Sequence, residues 1–158
     1  MRKPNSCEGR PMRKLYINTI VFNKSLVDGP GVRTLVFFQG CDIHCPFCQN
    51  QSTWDMKQGK EISVEELAKT LIGQSFNKKV TITGGEPLLQ KEGLSKLVKI
   101  LDENGFDIAL YTGHQRHEVP SNIIAHLTYL KYGPFIQEEK TTVKPYVGSR
   151  NQTFEKLR

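Results

Sequence analysis

Thr34-Leu35-Val36-Phe37-Phe38 is a nearly continuous apolar run, followed at once by Gln39-Gly40-Cys41. An apolar run of that length predicts a strand covered on both faces, as strands in parallel sheets are. The same punctuation recurs downstream. Val80-Thr81-Ile82-Thr83 ends in Gly84-Gly85-Glu86-Pro87, and Ile108-Ala109-Leu110-Tyr111 ends at Thr112-Gly113. Helical patterns separate these runs. Ser63 and Glu66 form an S-x-x-E capping box, with Val64, Leu67, Leu71 and Ile72 as the apolar stripe behind it. Leu94, Leu97, Val98, Ile100 and Leu101 mark a second helix, stopped near Asn104-Gly105. A strand over residues 15–21 precedes the turn Asp28-Gly29-Pro30-Gly31, a short helical piece lies around 122–126, a last strand covers 127–131, and the tail from Gly133 is loop-rich.

Strands alternating with helices imply right-handed crossovers and a parallel sheet. The expected fold is therefore α/β, a partial (β/α) barrel of parallel strands, because 158 residues fall short of the ~250 of an eight-unit barrel. Ligands of such folds sit outside the C-terminal ends of the strands. The loop from Cys41, the turn at 84–87 and Thr112-Gly113 would then share one face.

Cys41, Cys45 and Cys48 are spaced C-x3-C-x2-C, which supplies three thiolates to one small metal centre and no fourth. A closed zinc site takes four ligands, as does an ordinary electron-transfer iron–sulfur cluster. A cluster on three cysteines keeps one iron open. Zinc remains an alternative, with His44 or Cys7 as fourth ligand, and so do structural or redox cysteines. Phe47, inside the loop, offers an aromatic face to a planar ligand such as adenine. Gly84 and Gly85 allow close backbone approach, so that their N–H and C=O groups can bond the charged ends of an amino acid. Glu86 reads either as a ligand-facing acid or as a solvated turn residue. His114, His117 and His126 read as surface or satisfied core groups, and Trp54 as a packing residue.

Composition narrows the class. With 37% hydrophobic and 24% charged residues, the chain is globular rather than disordered. No apolar stretch is long enough to span a bilayer, and the start, Met1-Arg2-Lys3-Pro4-Asn5-Ser6, has no apolar core of a secretory leader. A cytoplasmic location and no membrane partner are expected. The net charge of +6 comes from scattered residues, with Arg2, Lys3, Arg10, Arg13 and Lys14 in a basic arm, so nucleic acid is not an expected partner. Two parts are expected, a flexible arm over 1–14 and one domain over 15–158. No Ser-His-Asp order or paired-carboxylate spacing points to hydrolysis.

Taken together, the C-x3-C-x2-C loop with Phe47 before its last cysteine, and Gly84-Gly85-Glu86-Pro87 after the next strand, resemble the radical S-adenosylmethionine enzymes. The resemblance implies a [4Fe-4S] cluster on Cys41, Cys45 and Cys48, whose open iron chelates the amino and carboxylate groups of S-adenosylmethionine. It implies that the 84–87 turn binds the methionyl amino end, that Phe47 and Gln49 lie along the adenine, and that Cys48, Gly84, Gly85, Glu86 and Thr112 belong to the cofactor site. More narrowly, Asp28-Gly29-Pro30-Gly31-Val32-Arg33, Phe37-Phe38-Gln39-Gly40-Cys41 and the stretch from Asn50 to Trp54 are similar to glycyl-radical enzyme activases. Gly133-Pro134-Phe135 and Gly148-Ser149-x-Asn151-Gln152 resemble the activating proteins of the anaerobic (class III) ribonucleotide reductase.

Two positions depart from that pattern: Gln49 stands where a histidine is common, and Tyr132 where an acid is. The implied activity is reductive cleavage of S-adenosylmethionine to methionine and a 5′-deoxyadenosyl radical, which makes a glycyl radical on the reductase. The implied partners are that reductase and an electron donor such as flavodoxin or ferredoxin. Four cysteines leave no room for extra ferredoxin-like clusters. Other readings are an activase of another glycyl-radical enzyme such as pyruvate formate-lyase, a small-molecule enzyme resembling 7-carboxy-7-deazaguanine synthase, and a zinc-binding interaction module.

Overall fold

The structure is a computed structural model and describes residues 14–44 and 51–158. Seven strands form one sheet: β1 (Lys14–Ser25), β2 (Arg33–Phe38), β3 (Lys60–Ser63), β4 (Lys79–Gly84), β5 (Asp107–Tyr111), β6 (Tyr129–Tyr132) and β7 (Thr153–Lys156). Their order is β3-β1-β2-β4-β5-β6-β7. The central four, β2, β4, β5 and β6, are parallel, as the apolar runs predict. Antiparallel strands flank them, β1 and β3 on one side and β7 on the other.

Among the described residues three α-helices connect the strands: α1 (Val64–Gln74), α2 (Lys91–Glu103) and the single turn α3 (Ser121–Ile124). Ser63 caps α1 through the Glu66 N–H at 3.0 Å, as the capping box predicts. α2 ends at Asn104, and Gly105 takes the left-handed φ of +81° that stops it. Leu67 and Leu71 of α1, Leu94, Leu97 and Leu101 of α2, and Ile123 pack with Val36, Phe38, Val80, Ile82, Ile108, Leu110 and Leu130 in one core. All three helices therefore cover the same face of the sheet, as successive right-handed crossovers require.

The opposite face carries the alternate residues of the same strands: Arg33 and Leu35, Thr81, Ala109 and Tyr111, Tyr129 and Lys131. Arg33 is fully buried there and bridges four segments. It donates to Thr81 Oγ1, to the carbonyls of Pro30, Val80 and Asp107, and to the Asp107 carboxylate, at 2.8–3.0 Å. The tail folds back over this face and is pinned by Gln152, whose amide donates to the Gly133 carbonyl and accepts from the Gly148 and Ser149 N–H groups. The sequence motifs around Gly133 and Gly148 thus meet through one side chain.

β1 begins at Lys14 and runs on to Ser25, four residues past its expected end. β3 and β7 were not legible, being short, polar edge strands. Among the described residues no helix is long and apolar enough to cross a membrane.

Candidate active site

At the C-terminal end of β2 the chain turns through Gly40 at φ +99° into Cys41. The cysteine loop returns beside its own start: the Gly40 N–H donates to the Thr53 carbonyl at 2.5 Å and the Cys41 N–H to the Trp54 carbonyl at 3.2 Å. Gln39, fully buried, clamps this closure. Its amide donates to the carbonyls of Ser52 at 3.0 Å and Asp55 at 2.7 Å, and its oxygen accepts from Asn18 at 3.0 Å. Both ends of the loop are therefore fixed before any metal is considered. His44 stacks flat on Trp54, with centroids 4.3 Å apart, so the Trp54 ring packs within the loop's own base. Cys45, Phe47, Cys48 and Gln49 lie outside the described residues, as does Cys7.

The glycine turn after β4 lies against this start. Gly85 donates to the Phe38 carbonyl at 3.1 Å and Glu86 to the Gly40 carbonyl at 2.7 Å. A Cβ on Gly85 would fall 2.2 Å from the Gly40 oxygen, and Gly84 takes φ +119°, so neither position admits a side chain. The Gly85 N–H, which the sequence offered to a ligand, is spent inside the protein, as is that of Glu86. What the turn can still offer is carbonyl oxygen, each with two lone pairs and suited to an ammonium.

Glu86 is also corrected as a solvated turn residue, since it is 1% exposed. One carboxylate oxygen accepts from the Leu88 N–H at 3.0 Å and the Thr112 hydroxyl at 2.7 Å, the other from the Gly113 N–H at 2.8 Å. Burial pushes its carboxyl up from the ordinary value, and the Thr112 hydroxyl and the two amides oppose that rise. Glu86 thereby ties the end of β4 to the end of β5. Just outside, His114 stands between Glu118, at 3.1 Å, and Asp42, at 3.5 Å.

Cys41, Gly84, Gly85, Glu86, Thr112 and Gly113 all line one cavity of about 130 Å³, as the strand-end rule predicts. Its lining also holds Tyr111 and Lys131, which the sequence did not mark as functional, and Phe135 and Gln152 of the two tail motifs. A larger hollow of about 660 Å³ lies beyond Asp42 and Met56 and includes neither Cys41 nor the glycine turn. A soft cysteine ligand beside glycine carbonyls is a donor set that fits an iron–sulfur centre with an amino-acid ligand.

The fold is an open α/β sheet with Cys41 and a glycine turn at the ends of its parallel strands. Residues 27–155 match the family model described as "4Fe-4S single cluster domain", and the chain belongs to that family. It is 43% identical over 106 residues to the pyruvate formate-lyase-activating enzyme of Clostridium pasteurianum, covering 64% of this chain and 44% of the relative. It is 38% identical over 91 residues to the pyruvate formate-lyase 1-activating enzyme of Escherichia coli strain K12, covering 54% and 37%. The chain thus spans less than half the length of these relatives. The crystal structure of QueE from Escherichia coli shares the fold, with a TM-score of 0.58 at 21% identity over 81% of this chain and 75% of that one. The family model implies a [4Fe-4S] cluster as cofactor.

Proposed function

We propose that this protein is a glycyl-radical activating enzyme and that its partner is the anaerobic ribonucleotide reductase. The observation that carries the reading is the meeting of Cys41, the Gly84-Gly85 turn and Thr112 around one cavity. When bound, the cluster and S-adenosylmethionine supply one-electron cleavage chemistry and a hydrogen-abstracting radical.

The chain's residues have simpler tasks. Cys41, Cys45 and Cys48 hold the cluster. Carbonyls of the glycine turn accept the methionyl ammonium, and Phe47 and Gln49 lie along the adenine. Thr112 and Glu86 act on the site by fixing its two strand ends at 2.7 Å, rather than by touching the ligand. The unclosed sheet leaves a way in for a polypeptide. A flavodoxin or ferredoxin serves as the electron donor.

The reductase as partner is supported by the tail, where Gln152 joins the Gly133 and Gly148 motifs. The relatives favour a second reading, pyruvate formate-lyase as partner, through 43% and 38% identity to its activating enzymes. The test offers each purified glycyl-radical protein to the reduced, reconstituted enzyme and records the glycyl radical by electron paramagnetic resonance. A signal on the ribonucleotide reductase supports the first reading. A signal on pyruvate formate-lyase alone replaces it with the second, and none on either defeats both.

A further inference from the structure

Four residues of the tail converge on one ring. Gln152 donates to the Gly133 carbonyl at 2.9 Å, and Asn151 to the Pro134 carbonyl at 2.8 Å. On the other side of Phe135, the Ile136 N–H donates to Ser149 Oγ at 3.2 Å. Gly148 lies against the ring itself: a Cβ there would fall 3.0 Å from Phe135 Cδ1. The Gly133 N–H donates to the His114 carbonyl at 2.9 Å, which ties the same segment to the chain after β5. The backbone is therefore held before and after Phe135, and Gly148 leaves the space that the ring fills.

Phe135 is neither buried nor fully exposed, and it lines the cavity with Cys41 and the glycine turn. Gln152, the other tail residue of the lining, is buried, with its amide on Gly133 and its oxygen on the Gly148 and Ser149 N–H groups. What the tail presents to the cavity is thus an apolar ring. Cys41 follows β2 and Phe135 follows β6, at the two ends of the parallel set. The cavity has a cysteine end, suited to a cluster and its amino-acid ligand, and an aromatic end.

A flat ring offers area without a strong hydrogen bond. Glycine is the residue whose backbone can lie directly against such a surface, because any other residue is held off by its Cβ. We propose that Phe135 is a specificity-determining residue, whose ring packs on the target glycine of the partner polypeptide, and that Gly148, Ser149, Asn151 and Gln152 hold it there. The proposal rests on the activating-enzyme reading above. It makes the ring a determinant of coupling: a glycine seated on it stays in reach of the radical, so that each cleavage is spent on the partner.

The test compares wild type with Phe135→Leu, Gly148→Ala and the double variant, all anaerobically reconstituted. Anaerobic ribonucleotide reductase is the partner, with pyruvate formate-lyase in a second arm. Glycyl radical formed per 5′-deoxyadenosine is measured, with the partner's KM and the affinity for S-adenosylmethionine. Phe135→Leu is expected to raise the partner's KM about tenfold and to lower radical per 5′-deoxyadenosine, as loss of an interface aromatic does. Gly148→Ala, which keeps the ring but crowds it, moves both readings the same way by a smaller factor. The double variant stays within about twofold of Phe135→Leu, because the methyl then has no ring to displace. Affinity for S-adenosylmethionine stays within about twofold throughout.

A partner KM and coupling equal to wild type in Phe135→Leu overturn the proposal. So does a loss of S-adenosylmethionine affinity with the partner's KM intact, which would give the ring to the cofactor. Effects of the two substitutions that simply add would separate Gly148 from the ring and overturn it as well. If wild type makes a radical on neither partner, the activating-enzyme reading itself has failed.

Discussion

Glu86 accepts the hydroxyl of Thr112 at 2.7 Å, across the C-terminal ends of two adjacent parallel strands. Three donors converge on this carboxylate from Leu88, Thr112 and Gly113. Glu86→Gln keeps the shape but turns an acceptor into an NH2 that faces donors. It is expected to cost about 1–3 kcal/mol of stability. Urea unfolding checks this through a lowered midpoint at constant slope. The same variant is expected to weaken S-adenosylmethionine binding, since Gly113 and the glycine turn lose their common anchor.

Arg33 is buried on the face of the sheet opposite the helices, with no side-chain exposure. Removing it leaves the Asp107 carboxylate with only Lys79, 3.8 Å away, and takes a donor from the Pro30 and Val80 carbonyls. Arg33→Met is expected to cost roughly 1–3 kcal/mol through the hydrogen bonds it removes. Arg33→Lys recovers only part of that, because an ammonium cannot reproduce the fork that reaches Thr81, Pro30 and Asp107 together. Equilibrium unfolding of both variants tests the order.

Gln39 closes the cysteine loop from inside the fold. Gln39→Leu fills the space but abandons the Ser52 and Asp55 carbonyls and the Asn18 amide. A stability loss of about 1–3 kcal/mol is expected. Faster release of iron to a chelator should accompany it, because the ends of the loop no longer hold its cysteines in place. Iron lost at the wild-type rate would show that the clamp does not matter to the metal.

Asp102 supplies the pH prediction. Burial pushes its carboxyl up, but hydrogen bonds from His126 and Arg158 outweigh that and hold it below the ordinary value. A depressed folded-state pKa adds stability above the unfolded value of about 3.9, which is lost as pH falls through the folded one. The stability difference between wild type and Asp102→Asn should therefore shrink as pH falls below about pH 4. Urea midpoints across that range measure it.

The sheet's centre was legible because β2, β4 and β5 are short, mostly apolar runs rich in β-branched and aromatic residues and bounded by turn residues. The edges were not. Lys60–Ser63 has no apolar pattern, and it is a strand because β1 offers it a partner from Lys14 to Ile17. The position of the site was legible from turn residues at three strand ends. Its supports were hidden, since Arg33, Gln39 and Glu86 are residue types found mostly at surfaces, and only the fold shows the carbonyls and amides that meet them. Tyr111 read as the last apolar residue of a strand, and its unpaired hydroxyl became visible only with its neighbours in place.

The central claim is that three cysteines hold a cluster that cleaves S-adenosylmethionine. The most direct measurement is 5′-deoxyadenosine formed by anaerobically reconstituted protein with dithionite and S-adenosylmethionine, beside Cys45→Ala. The account predicts product from the wild type and none from the variant. No product from wild type carrying an intact iron–sulfur cluster, or equal product from both, would contradict it.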